Sequence, residues 1–172
     1  QNLCEKCNIN IRLQYNYISA CIDRYLKDIL DYDSCILYLT NLSSYYIPLL
    51  RQLNRPECTA AADLLEIDLD LYTMITYIRM GNFSKAEETK KVCEAALKQR
   101  PLTLRKITYI VRFELIKIEA LINKFDYDGA LLACNRLIDH CQSLKAIIEC
   151  FGDDYACFCE ELADVYSARS RV

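Results

Sequence analysis

Apolar residues recur at three- and four-residue spacing along nearly the whole chain, which is the period of an amphipathic α-helix. The same period is found in seven segments, which begin near residues 8, 33, 59, 84, 103, 128 and 153. In the first of them the apolar face consists of Ile11, Tyr15, Ile18, Ile22, Leu26 and Ile29. The pattern therefore predicts an all-α fold of about seven helices.

The breaks between these segments are short and contain the residues that end helices. Pro56 and Pro101 each stand at a break, and Pro48 predicts a kink or local break inside the second helix. Only three glycines and three prolines are present, which argues against a turn-rich β fold. Because short connections make successive helices antiparallel neighbours, we expect three helical hairpins and one closing helix.

One five-residue pattern occurs at three of these breaks: DYDSC at residues 31–35, NFSKA at 82–86 and DYDGA at 126–130. Each has Asp or Asn, an aromatic residue, Asp or Ser, any residue, and a small residue. We expect the third residue (Asp33, Ser84 or Asp128) to cap the following helix. The small residue is expected where two helices approach closely. A pattern that recurs at such spacing along the chain, from residues 31–35 to 82–86 and 126–130, is typical of a helical repeat array.

The stretch GNFSKAEETKKVCEAAL resembles the second half of a tetratricopeptide (TPR) motif, whose turn reads Gly-x-aromatic-x-x-Ala. Gly81, Phe83 and Ala86 match that turn, and Gly81 is expected to be left-handed. FDYDGALLACNRLI is similar, with Phe125 in place of the glycine, and LDYDSCILYLTNL has Cys35 in place of the alanine. The resemblance implies a single TPR-like α-α superhelix over residues 1–172, as a segment of a larger protein.

A TPR-like array implies a non-catalytic protein–protein interaction module, an adaptor or scaffold that holds a partner peptide or helix on a concave helical face. The first helices of the middle and last hairpins are expected to line that face. The candidate partner-binding residues on them are Tyr72, Tyr77, Arg79, Arg112 and Lys117.

Charge narrows the range of partners. The net charge is −3 and the pI is about 5.3, so neither nucleic acid nor an anionic membrane is an expected partner. No apolar run approaches the roughly 20 residues that span a bilayer. The third helix is acidic, and we expect its carboxylates to lie on a solvated outer face: Asp63, Glu66, Asp68 and Asp70.

Eleven cysteines, an odd number, lie mostly as single residues at apolar or small positions. This favours buried, reduced thiols in an intracellular protein of the cytoplasm or nucleus. The alternative is a secreted, disulfide-stapled helical ligand. Cys4 and Cys7 form a C-x-x-C pair, a weak metal candidate because structural zinc needs four ligands. No cofactor is expected.

Catalysis is not expected. His140 is the only histidine, and a nucleophilic pair with Cys141 is less consistent with the pattern than a histidine near the end of a helix. A further alternative is the helical accessory domain of a larger enzyme, because the ending IIECFGDDYACFCEELADVYS is similar to that of SET/MYND-type lysine methyltransferases. In that case Cys4 and Cys7 would be the remnant of a preceding zinc site.

Overall fold

The computed structural model describes residues 2–100, 104–148 and 155–172, with side chains for 13–100, 106–144 and 162–172. These residues form seven continuous helical stretches, and no strand is found among them. The prediction of an all-α fold of about seven helices is therefore confirmed. The α-helices are α1 (Asn2–Asp23), α2 (Tyr32–Asn41), α3 (Ile47–Gln52), α4 (Pro56–Arg79), α5 (Phe83–Gln99), α6 (Leu104–Asn123), α7 (Tyr127–Ile148) and α8 (Tyr155–Ser170).

Two wide π-helical turns lengthen these helices. Arg24–Ile29 continues α1, and Leu42–Tyr46 joins α2 to α3 without a gap. Pro48 lies in the first turn of α3. It has no N–H to donate to the carbonyl group four residues earlier, so the α-helical hydrogen-bond pattern is interrupted there. The predicted local break near Pro48 is confirmed.

The chain divides into two compact units, Gln1–Cys93 and Glu94–Val172. In the first unit α4 is the central helix, and α1, α2 and α3 pack against it. Its buried side chains lie on more than one face, as expected for a helix enclosed by neighbours. They include Leu65, Ile67, Leu69, Leu71, Met74, Ile75 and Ile78.

This enclosure corrects the prediction of a solvated outer face for two of the four carboxylates of α4, Asp68 and Asp70, whereas Asp63 and Glu66 keep 43% and 46% of their side-chain surface exposed. Asp68 is only 2% exposed, and its carboxylate accepts a hydrogen bond from the Tyr15 hydroxyl. Asp70 is half-buried, and burial, followed by the nearby charge of Glu66, raises its pKa to about 6. Asp63 and Glu66 are both paired with Arg51 of α3, at 3.1 and 2.8 Å.

In the second unit α6, α7 and α8 pack against one another. Val165 and Ala168 of α8 are buried against residues of the α6–α7 hairpin. Those hairpin residues are Ile107, Val111 and Ile118 from α6, and Ala130, Cys134, Leu137, Ile138 and Cys141 from α7.

The repeated five-residue pattern has one geometry at all three breaks, and it corrects the predicted caps. The first residue accepts the N–H of the fourth: Ser34 N–H binds Asp31 Oδ1 at 3.0 Å, Lys85 N–H binds Asn82 Oδ1 at 3.3 Å, and Gly129 N–H binds Asp126 Oδ1 at 3.0 Å. The side chain of the first residue therefore caps the helix. The predicted caps Asp33, Ser84 and Asp128 lie inside the first turn instead.

The residue before each cap is left-handed. Leu30 has φ = 56°, Gly81 has φ = 72° and Phe125 has φ = 62°. The left-handed conformation of Gly81 confirms the prediction, and Phe125 adopts it although it replaces the glycine of the motif. The small residue at the end of the pattern is buried in all three cases, at Cys35, Ala86 and Ala130.

α4 begins at Pro56, whose missing N–H suits the first turn of a helix. On α5 and α7, Val92 and Leu131 are 59% and 40% exposed. The core positions next to them in sequence are Cys93 and Ala130, which are smaller and allow closer packing.

Candidate binding groove between α6 and α7

The α6–α7 hairpin uses two different stripes of side chains. One stripe of each helix packs into the core with α8, as described above. α6 also carries a second stripe of side chains, with the spacing i, i+4, i+7, i+11. At about 100° per residue, this second stripe is rotated about the helix axis by roughly 90° from the core stripe. Its members are Ile110, Glu114, Lys117 and Leu121.

Between this stripe and α7 lies an open groove of about 490 Å³. We call it the α6–α7 groove. Its apolar residues are Ile110, Leu121, Leu132, Ala133 and Leu137. Leu132 is 51% exposed, whereas Leu137 is buried at the base. Gly129, which has no side chain, lies at the end of the groove nearest the connection between the two helices.

Charged and polar side chains line the rest of the groove. On α6, Lys117 Nζ lies 2.8 Å from both carboxylate oxygens of Glu114 and 5.5 Å from the centre of the Phe113 ring. On α7, Arg136 and His140 are exposed. The Glu114–Lys117 pair is nearly neutral as a unit, so Arg136 gives this groove a positive balance.

The five predicted partner-binding residues are all half-buried, and they lie in different units. Tyr72, Tyr77 and Arg79 belong to α4 in the first unit, and Arg112 and Lys117 belong to α6 in the second. Of the five, only Lys117 lines the α6–α7 groove.

The three residues of α4 make contacts of their own. The Arg79 guanidinium donates a hydrogen bond to the Leu26 carbonyl at 3.3 Å, and Lys85 Nζ lies 5.4 Å above the Tyr77 ring. The Tyr72 carbonyl accepts the Thr76 hydroxyl at 2.6 Å. These contacts hold the side chains of Arg79 and Lys85 against their own unit.

Sequence reasoning missed most of the groove. Leu132 and Arg136 were not singled out, and His140 was considered for catalysis and as a residue near the end of a helix, but not for partner binding. The sequence feature that could have identified these residues is a second stripe beside the main apolar stripe of the helix. On α7 this second stripe consists of residues 129, 132, 133, 136, 137 and 140. Such a stripe can be found by its i, i+3, i+4 and i+7 spacing.

The thiols near the groove are not suited to nucleophilic attack. Cys141, next to His140 in sequence, is fully buried, and burial raises the pKa of its thiol. Burial also raises the pKa of Cys134. A reactive cysteine needs a thiolate and access, and His140 and Cys141 point to different sides of α7.

Six cysteines have described side chains, and all six are free thiols: Cys21, Cys35, Cys58, Cys93, Cys134 and Cys141. All except Cys21 are buried, which confirms the prediction of buried thiols for these five. The side chains of Cys4 and Cys7 lie outside the described residues. Among the residues that are described, no group of three or more His, Cys, Asp or Glu side chains is placed to hold a metal ion.

None of the helices in the described ranges is both long enough and apolar enough to cross a membrane. No protein-family model, curated protein or solved structure matches this chain.

Proposed function

We propose that this protein is a non-catalytic, TPR-like interaction module that binds a segment of a partner protein in the α6–α7 groove. The observation that carries the proposal is the groove itself, an apolar trough of about 490 Å³ beside the stripe of the hairpin that packs against α8. A concave, mostly apolar site with a few polar groups is typical of sites that recognise other molecules.

The lining favours a short amphipathic partner segment. Leu132 projects into the groove and is half exposed, so it can pack against an apolar side chain of the partner. Arg136 offers a planar, bidentate donor to a carboxylate. We therefore expect a partner segment with apolar residues at three- and four-residue spacing and at least one Asp or Glu among them.

The burial of the Cys141 thiol in the second unit supports a binding role over a catalytic one. Among the residues with described side chains, no accessible thiol lies beside the histidine that lines the groove, because Cys141 points into the core. The free, mostly buried thiols are consistent with a reducing, intracellular compartment.

The proposal is tested by selecting peptides of about 16 residues, long enough for four helical turns, from a displayed library on the immobilised protein. Affinities of the selected peptides are then measured for three variants. We expect Leu132→Ala to weaken binding by roughly 5- to 30-fold, from about 1–2 kcal/mol of lost apolar contact. Arg136→Ala should weaken the binding of peptides that contain acidic residues and should have little effect on peptides without them.

Leu131→Ala is the matched control. Leu131 is adjacent in sequence and 40% exposed, but it does not line the groove, so this variant should bind as the wild type does. Equal losses in Leu131→Ala and Leu132→Ala, or peptides that bind all variants equally, would place binding elsewhere and refute the proposal.

A further inference from the structure

The N-terminal helical hairpin carries large apolar side chains on the face opposite α4. Five of them define what we call the outward face. They are Leu13 (60% exposed), Tyr17 (69%), Leu37 (64%), Tyr45 (74%) and Leu49 (56%). Apolar side chains scattered singly are normal on a protein surface, but a contiguous group indicates an interaction site.

The hairpin consists of the helical stretches 2–29 and 32–52, and the contacts between them show that these residues lie on one side of it. The two stretches meet through the Tyr46 hydroxyl, which donates to Gln14 Oε1, and through the rings of Tyr25 and Tyr38, whose centres are 6.1 Å apart. The pairing of residue 14 with 46 and of 25 with 38 requires antiparallel helices. Tyr17 is therefore level with the middle of the second helical stretch, where Tyr45 lies.

The opposite side of the same hairpin is fixed against α4. Tyr15 donates to Asp68, and Cys35 Sγ lies 3.7 Å from the Thr76 hydroxyl. Leu13 and Tyr17 are rotated away from Ile18 and Ile22, which are buried in that core. Among the described residues of this unit, no helix packs against the outward face.

The π-helical turn aligns the apolar residues of the second stretch. In a regular α-helix, Leu37 and Leu49 would differ by about 120° in direction, at ~100° per residue. The turn Leu42–Tyr46 accommodates one extra residue, which reduces that difference to about 20°. Leu37, Tyr45 and Leu49 therefore form a single line along the helix. Such turns often occur at functional sites.

The part of this face around Tyr17 and Tyr45 carries no charged side chain, whereas the exposed Arg24 is level with Leu37. Residues 13–22 of α1 and 34–50 of the second stretch contain no Asp, Glu, Lys or Arg. A strongly charged partner would find nothing to pair with there. A second copy of this part of the face meets no like charge, and tyrosine hydroxyls can bond to the Asn, Gln and Ser side chains around it.

The exposed area is large enough for a symmetric pair. With ~200 Å² for a tyrosine side chain and ~120 Å² for a leucine side chain, the five residues expose roughly 500 Å² per copy. Two copies would bury about 1,000 Å², which is the lower end of specific interfaces. We propose that the outward face is a homodimer interface, in which a second copy of this chain packs its own outward face through a two-fold axis.

Sedimentation equilibrium of the whole chain at up to roughly 100 µM, well above the micromolar Kd expected of a small interface, tests this. We expect a dimer for the wild type, and at least a tenfold weaker dimer for the double variant Leu37→Glu, Tyr45→Glu. Val92→Glu is the control, because Val92 is 59% exposed on α5 and outside the face. It should dimerise as the wild type does. A monomeric wild type, or a double variant that still dimerises, overturns the proposal.

A second measurement decides the matter if the double variant loses its helical circular dichroism. A benzophenone photo-crosslinker in place of Tyr45 leaves the rest of the face intact. We expect it to link two copies, with the attachment mapped to residues 13–17 or 37–49 of the second copy. Attachment elsewhere, or no link between copies, overturns the proposal.

Discussion

The cap at the start of α5 gives a sharp test of how the repeated turn works. Asn82 Oδ1 accepts the Lys85 N–H at 3.3 Å, and the Asn82 N–H is itself bonded to the Tyr77 carbonyl at 2.8 Å. The backbone of the turn is thus held independently of the side chain. Replacing Asn82 by Ala removes the cap but leaves the backbone bonds in place.

The expected cost of Asn82→Ala is about 1 kcal/mol in the free energy of unfolding, within the ~0.5–2 kcal/mol range of such caps. The rather long hydrogen bond argues against the upper end of that range. Ser84→Ala is the matched control: Ser84 is exposed in the first turn, so its replacement should change the free energy by less than ~0.5 kcal/mol. Asn82→Asp should keep the cap and gain from the helix dipole.

The measurement is urea unfolding of all four proteins at the same pH, followed by helical circular dichroism. The free energy of unfolding must decrease with urea concentration at the same slope in all four proteins before their free energies are compared. If Ser84→Ala costs as much as or more than Asn82→Ala, the third residue of the pattern is the cap after all. The assignment of the first residue would then be refuted at this turn.

Three other predictions concern single side chains in the first unit. Hydrogen bonds from Ser34 lower the pKa of Asp31, so the stabilisation by its ionised form is present at neutral pH and lost as the pH falls through that lowered value. Asp31→Ala should be less stable than the wild type at pH 7, and the difference should become smaller towards about pH 2. Burial raises the pKa of Asp70 to about 6, so the favourable contribution of its neutral form is complete below the ordinary Asp pKa of about 4 and is lost as the pH rises through about 6. Asp70→Asn should exceed the wild type by ~1–2 kcal/mol at pH 8, and the gap should close towards about pH 4. Leu30 has a left-handed backbone conformation, which is strained for any residue other than glycine, and its side chain is 58% exposed. Leu30→Gly should therefore raise the free energy of unfolding in urea by ~0.5–1 kcal/mol. A lower free energy of unfolding would contradict this explanation.

Helix number and approximate ends were predictable from sequence because they depend on local chemistry. The apolar period marks each helix, and proline, glycine and the Asx residues mark its ends. Even the closely packed small residues Cys35, Ala86 and Ala130 could be identified from the repeated pattern. What failed was the choice between two possible caps in one motif, Asn82 and Ser84. Both residue types cap helices, and only the backbone angle of the preceding residue decides between them.

Burial on α4 was harder to predict because it depends on partners far away in sequence. Asp68 looks like an exposed carboxylate until Tyr15, 53 residues earlier, is placed beside it. The same is true of the α6–α7 groove. Leu131 and Leu132 are neighbours with the same side chain, and only the packing of α7 against α6 and α8 determines which of them lines the groove.

The central claim is that a partner segment binds in the α6–α7 groove, and the single histidine offers a direct way to test it. His140 lines the groove and is the only histidine in the chain, so its imidazole gives a single Hε1 signal in NMR spectra without further labelling. Titration with a selected peptide should shift that signal and saturate at the measured Kd. The methyl signals of Leu132 and Ala133 should shift with it, while that of Ala168, which lies on α8 and is buried against the α6–α7 hairpin, stays in place. Saturable binding that leaves the His140 and Leu132 signals unchanged would contradict the account.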